Sequence, residues 1–302
     1  VSKYKIAVIG YGEVGKIFSI GLLGKPNVTS VSAWDLKFVD PKLSAEQLEH
    51  AKKNGINAQL SIDEACADAD VVISAVTASN TLDVAVAAAP FLKQGSLFLD
   101  LNSASPGTKQ EAAAVVDGRG AFYVEAGVMT SVPPYGIKVP ILLGGEKSEG
   151  LAQILNEWGM DAKSISFKLG IASAIKMSRS IMIKGLEALV VEAYSTARFY
   201  GVEDYFLPTL VETFPQIDWS TQGAYFFSRV VQHGKRRSEE MRESARTVSE
   251  TGAPPLMASA IADKQAWLAQ IASLGVFKDL PKNARWQDYS DCLNAHIKSS
   301  AK

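Results

Sequence analysis

Cysteine, histidine and long apolar runs are all scarce in this 302-residue chain. Cys66 and Cys292 lie too far apart to suggest a disulfide framework, and so few thiols fit a reducing, cytoplasmic setting. His50, His233 and His296 are scattered without metal-ligand spacing, so no metal centre is expected. No uninterrupted apolar run approaches the ~18–20 residues needed to span a bilayer. The apolar stretch at residues 6–9 is too short for the core of a secretion signal and reads as a strand. Net charge is lacking too. The 31 basic and 32 acidic side chains nearly cancel, which leaves no whole-chain attraction to nucleic acid or to a membrane surface. A GxSxG nucleophile elbow is absent, which removes the simplest hydrolase reading. What is there is an ordinary globular composition, 47% hydrophobic and 21% charged, outside the disordered range. The length suffices for two domains.

Short β-branched runs alternate with alanine-rich stretches through the first half. Residues 5–9, 28–34, 71–76, 96–101, 121–125 and 139–143 read as strands, with helices between them at 15–23, 44–54, 81–88 and 108–116. Such alternation predicts βαβ units and a mainly parallel sheet. Beyond about residue 168 the strand pattern stops and the sequence reads as helical. Gly170 stands before a proline-free stretch, 171–200, which as one helix is ~45 Å long. Pro208, Pro215 and the Pro254-Pro255 pair punctuate the later helices. The stretch 233–246 carries both charge signs, with Lys235/Glu239 and Arg236/Glu240 at i,i+4, and reads as a solvated helix.

Gly10-Tyr11-Gly12-Glu13-Val14-Gly15 is a GxGxxG sequence between a strand and an amphipathic helix. In that context Gly10 makes the tight turn, Gly12 admits a pyrophosphate against the backbone, and Gly15 allows close helix–strand packing. The next strand ends at Trp34-Asp35, twenty positions after Gly15, where a carboxylate accepts hydrogen bonds from ribose hydroxyls. The expected fold is therefore an α/β N-terminal Rossmann domain, residues 1–168, with a mainly parallel sheet that binds a dinucleotide. An all-α C-terminal domain, residues 169–302, follows and opens with a long interdomain helix. Asp35 favours NAD: a 2′-phosphate at ~4 Å from one carboxylate is repelled by ~4 kcal/mol per unit charge at an effective dielectric of 20. Lys37, two residues on, offsets this and leaves NADP open.

Oxidation of an alcohol needs a group that takes the hydroxyl proton. The segment Gly170-Ile171-Ala172-Ser173-Ala174-Ile175-Lys176-Met177-Ser178-Arg179-Ser180 offers Lys176 among small and apolar residues, with Ser180 one turn on. A lone lysine on a helix is more often a solvated surface residue, and spacing alone does not decide between the two.

The order of GxGxxG, the strand end Asp100-Leu101-Asn102-Ser103-Ala104-Ser105-Pro106, a polar loop and a lysine-bearing helix resembles the β-hydroxyacid dehydrogenases. That family includes 3-hydroxyisobutyrate, tartronate semialdehyde and 6-phosphogluconate dehydrogenases. The resemblance implies that Lys176 is the catalytic acid–base, that Asn102 and Ser103 lie near the nicotinamide ribose and the reacting centre, and that Val76 and Thr77 cover the cofactor. It implies a small-molecule substrate, a polar hydroxy acid or sugar acid, and a homodimer. Two positions depart from the pattern. The family's substrate loop, Asp-Ala-Pro-Val-Ser-Gly-Gly, is here Glu125-Ala126-Gly127-Val128-Met129-Thr130-Ser131, so its serine falls on Met129 and Thr130 or Ser131 supplies the hydroxyl. The asparagine one turn after the lysine is Ser180. The C-terminal part, with His233-Gly234-Lys235-Arg236-Arg237-Ser238-Glu239-Glu240-Met241, resembles a divergent branch whose C-terminal domain has no known function. There Arg236 or Arg237 is a candidate for holding a substrate carboxylate. The competing readings are an imine reductase of the same architecture, which as a rule lacks the lysine, and a non-catalytic dinucleotide sensor, which needs neither Lys176 nor Ser180.

Overall fold

A computed structural model describes residues 3–300. The chain divides into two compact units that meet at Met177 and Ser178. Eight strands in the first unit form one sheet: β1 (Tyr4–Ile9), β2 (Val28–Trp34), β3 (Asn57–Ala58), β4 (Val71–Ser74), β5 (Leu97–Asp100), β6 (Phe122–Val128), β7 (Pro140–Gly144) and β8 (Asp161–Ser166). Their order is β3-β2-β1-β4-β5-β6-β7-β8, and all pairs are parallel except β6 with β7. The order reverses between β1 and β4, the switch point at which open α/β sheets hold ligands. The helices of this unit are α1 (Glu13–Leu22), α2 (Ser44–Lys53), α3 (Ile62–Cys66), α4 (Thr81–Ala88), α5 (Pro106–Asp117) and α6 (Ser148–Glu157).

Period-two alternation builds two cores, one on each face of the sheet. Ile6 and Val8 of β1 join Phe18, Leu22, Val31 and Leu99 on one side, while Ala7 and Ile9 join Val72, Phe98, Ala85 and Ala112 on the other. Strands buried on both faces read as continuous β-branched runs, which is why β1 and β4 were legible. β8, with the sequence Asp-Ala-Lys-Ser-Ile-Ser, was not expected as a strand. It is a polar edge strand with one neighbour, β7, and carries little of the buried-strand signature.

The helix α7 (Ile171–Tyr200) has the bounds that the proline-free stretch predicts, and Gly170 before it sits at φ +98°. The second unit contains most of α7 with α8 (Glu203–Thr213), α9 (Trp219–Glu250), α10 (Leu256–Ser273) and α11 (Trp286–Ser300). Pro208 lies inside α8 instead of ending it. An aromatic core of Tyr194, Trp219, Phe227, Trp286 and Tyr289 holds this unit together, with the Tyr194 hydroxyl donating to the Trp219 carbonyl at 2.8 Å. The tight α9–α10 crossing depends on Gly234, where a Cβ would lie 2.8 Å from the Gln265 carbonyl oxygen.

The charged stretch 233–246 is not solvated all round, contrary to the reading of its i,i+4 pairs. Arg237, Ser238, Met241 and Ser244 are buried, and only part of the helix surface meets water. Arg237 forks onto Glu187 of α7 through Nε at 2.8 Å and through Nη2. Glu240 takes Lys184 at 2.7 Å and Arg236 at 2.6 Å. Burial, opposed by Glu240, lowers the pKa of the Lys184 ammonium. A periodic pattern with evenly mixed charge does not say which charged side chain meets a buried partner.

Candidate functional site at the carboxyl edge of the sheet

β1, β2, β4, β5 and β6 run parallel, so the segments that follow them gather along one edge. In register, Ile9 lies beside Trp34 and Ser74, Ser74 beside Asp100, and Asp100 beside Glu125. The residues just beyond this row are Gly10, Asp35, Ala75, Leu101 and Ala126. All the candidate site residues of the first unit stem from this edge or from the start of α7.

The glycine loop behaves as three different positions. Gly10 has φ +94°, and a Cβ on it would lie 2.5 Å from the Ala75 carbonyl oxygen, so only glycine fits. At Gly15 a Cβ would lie 1.7 Å from the Gly10 carbonyl oxygen, which binds α1 closely to β1. At Gly12 a Cβ would meet nothing within 4 Å and φ is an unstrained −79°. Neither packing nor backbone conformation requires glycine at Gly12, which precedes α1 and opens its N-terminus. A helix N-terminus approachable to its backbone fits a pyrophosphate, so these residues fit a dinucleotide. Glu13 is exposed and Val14 half-buried on the first turn.

Tyr11 is fully buried against Phe38 and His50, with its hydroxyl 3.1 Å from His50 Nδ1. Burial raises the Tyr11 pKa. Lost hydration, then the Lys16 charge, lowers that of His50. Asp35 accepts the Tyr11 N–H at 2.6 Å on Oδ2 and the Lys37 N–H at 2.8 Å on Oδ1. Each oxygen keeps a further lone pair for a hydroxyl donor.

Asn102 is buried and its amide is engaged inside the sheet edge. Its Oδ1 accepts the Val76 N–H at 2.7 Å and its Nδ2 donates to Ser74 Oγ at 2.9 Å, tying the end of β5 to the segment after β4. The Asn102 N–H in turn donates to Asp100 Oδ1 at 2.8 Å. Asp100 is 1% exposed and pairs with the fully buried Lys109 at 3.0 Å, while Tyr123 donates to the same carboxylate. Burial, then the Asp100 charge, pushes the Tyr123 pKa well up. Breaking a buried pair of this kind costs about 3–5 kcal/mol. Val76 and Ser103 are half-buried and Thr77 is exposed, its Oγ1 accepting Asn80 Nδ2 at 3.0 Å. Thr130 and Ser131 are exposed in the loop after β6, whose far end is anchored by Ile137 against Gly21 of α1.

β6 continues to Val128, so the motif Glu125-Ala126-Gly127 lies in the strand and not in a loop. Glu125 is fully buried and accepts four hydrogen bonds from the start of α7. A Cβ added at Gly127 would lie 3.0 Å from the Ala172 carbonyl oxygen and 3.6 Å from the Lys176 Cβ. Lys176 is thus half-buried with its stem beside the end of β6.

Residues 5–165 match the NAD-binding domain of 6-phosphogluconate dehydrogenase. The chain belongs to that family. Residues 197–268 match a domain of unknown function, DUF1932. A 28.5 kDa uncharacterised protein of Methanothermus fervidus is 30% identical, the match covering 84% of this chain and 94% of that one. A conserved hypothetical protein from Sinorhizobium meliloti is 37% identical with a TM-score of 0.75, covering 96% and 95% of the two chains. A Mycobacterium tuberculosis 3-hydroxyisobutyrate dehydrogenase solved with L-serine shares the fold, with a TM-score of 0.71 at 19% identity over 96% and 99% of the chains. Among the described residues no helix is long and apolar enough to cross a membrane.

Family members thus carry an NAD-binding domain like this one. In the helical unit, Ser180 is buried and accepts from Lys184 at 3.3 Å, and Arg236 and Arg237 hold the carboxylates named above. The residues that the motifs did not single out are Glu125 as a helix cap, His50 behind Tyr11, and the Asp100–Lys109–Tyr123 cluster. Glu125 had a signal: it is a carboxylate in an otherwise apolar strand, followed by the small residues Ala126 and Gly127. For Lys109, on a helix nine residues after Asp100, there was none.

Proposed function

We propose that the chain is an NAD-dependent dehydrogenase of a polar hydroxy acid or sugar acid, with Lys176 as general acid–base. What carries the reading is the company Lys176 keeps: Gly10 follows β1 and Gly127 nearly ends β6, two strands of like direction, so the open glycine loop and the lysine stem share one sheet edge. Gly12, Glu13 and Val14 offer the pyrophosphate the open N-terminus of α1 in a loop shaped by Gly10, Tyr11 and Gly15, Asp35 takes the ribose hydroxyls, and Val76 and Thr77 border the nicotinamide end. A bound nicotinamide ring supplies the hydride acceptor. Lys176, unprotonated, takes the hydroxyl proton of the substrate and returns it in the reverse direction. Thr130, Ser131 and Ser103 orient the substrate by hydrogen bonds. Asn102 acts through the Val76 segment that it holds, and Ser180 supports the lysine helix. Asp35 favours NAD, because its oxygens are aimed by two backbone N–H groups at the end of β2. Residues 1–168 form the dinucleotide-binding domain, and residues 169–302, opening with the long helix, form the substrate and dimerisation domain.

A panel of hydroxy acids and sugar acids with NAD, followed by absorbance of the reduced cofactor, identifies the substrate. On that substrate Lys176→Ala lowers turnover about 10²–10⁴-fold with cofactor affinity unchanged. Lys176→Arg fails almost as badly, since a guanidinium does not give up its proton. A folded Lys176→Ala protein with normal turnover removes the acid–base reading.

A further inference from the structure

Tyr123, Glu125 and Gly127 alternate onto one face of β6. The Glu125 carboxylate is fully buried there and meets the start of α7. Its Oε1 accepts the Gly170 N–H at 2.7 Å and the Ala172 N–H at 3.1 Å. Its Oε2 accepts the Ser173 N–H at 3.2 Å and the Ser173 hydroxyl at 2.6 Å. A helix leaves its first four N–H groups without internal partners, and Glu125 satisfies three of them. Charge adds to this, because a carboxylate at a helix N-terminus faces the positive end of the dipole.

An ordinary cap is a serine, threonine or aspartate at the helix entry, and it ties the helix only to its own loop. Here the entry residue is Gly170, which has no side chain, and the cap comes from a strand 45 residues earlier. The helix is thereby tied to the sheet. The surroundings are cleared for it: a Cβ on Gly144, beside Glu125 on β7, would lie 2.5 Å from Oε1. Two residues along β6, a Cβ on Gly127 would lie 3.0 Å from the Ala172 carbonyl oxygen and 3.6 Å from the Lys176 Cβ. Ala172 and Lys176, four apart, share the helix face that meets the strand. Glu125 sets the height and rotation of α7, and Gly127 sets how closely it approaches.

We propose that Glu125 is the positioning residue for Lys176, holding the first turns of α7 against β6 so that the amine is presented at one place on the sheet edge. The proposal rests on the reading of Lys176 as the acid–base. Misplacement by about 1 Å is worth on the order of 10²-fold in rate. Glu125→Gln keeps the shape but replaces one acceptor oxygen with a donor that faces the Ser173 N–H. It is expected to lower kcat about 10- to 100-fold, with KM and the NADH dissociation constant within about twofold of wild type. Gly127→Ala leaves the carboxylate intact and moves the helix instead, so it should lower kcat in the same way by several-fold.

Trace labelling with acetic anhydride, read by peptide mass spectrometry, follows Lys176 without any substrate. Its rate relative to the exposed Lys282 should change at least about threefold in Glu125→Gln. Should Glu125→Gln fail to fold, Ser173→Ala removes one donor and keeps the carboxylate, and a loss of about threefold in kcat is expected. A folded Glu125→Gln protein with wild-type labelling of Lys176 and wild-type kcat overturns the proposal, as does an unaltered kcat in Ser173→Ala. Normal turnover in Lys176→Ala would strike only the acid–base reading, because labelling still reports whether Glu125 holds the lysine.

Discussion

Alanine at Gly12 separates binding from folding at this site. A Cβ there meets no atom within 4 Å, and φ is already −79°, so the folded chain accepts the methyl without strain. Two small effects oppose each other. Fewer unfolded conformations favour alanine by about 0.4–1 kcal/mol, while the position before α1 disfavours it against glycine by a similar amount. The net change stays within about 1 kcal/mol, or about 3 °C in Tm for a chain of this size. A pyrophosphate on the N-terminus of α1 must approach the backbone where the methyl now stands. Loss of one or two charge-assisted hydrogen bonds at about 1.5–3 kcal/mol each weakens NADH by roughly 10- to 10⁴-fold. Gly15→Ala is the control of opposite kind. Its Cβ would lie 1.7 Å from the Gly10 carbonyl oxygen, so stability and binding fall together. Thermal melts and NADH fluorescence titration on both variants measure this. Wild-type NADH affinity in folded Gly12→Ala would refute the assignment of the glycine loop.

Asp35→Ser is expected to bring the dissociation constants of NAD and NADP closer by at least about tenfold in their ratio, measured by titration; an unchanged ratio means that Asp35 does not set the choice. The chain is expected to be a homodimer through α7, where Ile175, Met182 and Leu189 stand exposed seven residues apart along one stripe. Light scattering should show a dimer that Met182→Asp with Leu189→Asp dissociates, and a wild-type monomer at micromolar concentration removes this expectation. Hydrogen bonds from Arg198 lower the pKa of Asp291, so that carboxylate contributes stability above its unfolded pKa that is lost as pH falls through the lower folded value. Arg198→Met should therefore lower stability near neutral pH and flatten its decline in acid, as followed by urea melts between about pH 6 and 3; parallel profiles would contradict it.

Much of the first unit is legible because its signals are local. The GxGxxG run, the acidic end of β2 and the double-sided apolar strands each occupy fewer than about ten residues and report their own backbone state. The length of α7 follows in the same way from a proline-free stretch ended by Gly170 and Gly201. β8 was missed because a polar edge strand has no buried alternation to read. Tertiary packing alone decided what Asn102, Glu125 and Arg237 touch. Nothing near Asn102 announces that its amide closes on Ser74 and Val76 instead of facing outward. Glu125 stands out as a carboxylate in an apolar strand, but what it holds is decided only when β7 clears a space with Gly144 and α7 brings three N–H groups to it. Arg237 is indistinguishable in sequence from Arg236, yet one is buried on Glu187 and the other lies half in water. Sequence periodicity says which way a side chain leaves its own element. The partner that satisfies a buried charge sits on another element, 45 to 50 residues away in these cases, and only the folded chain brings the two together.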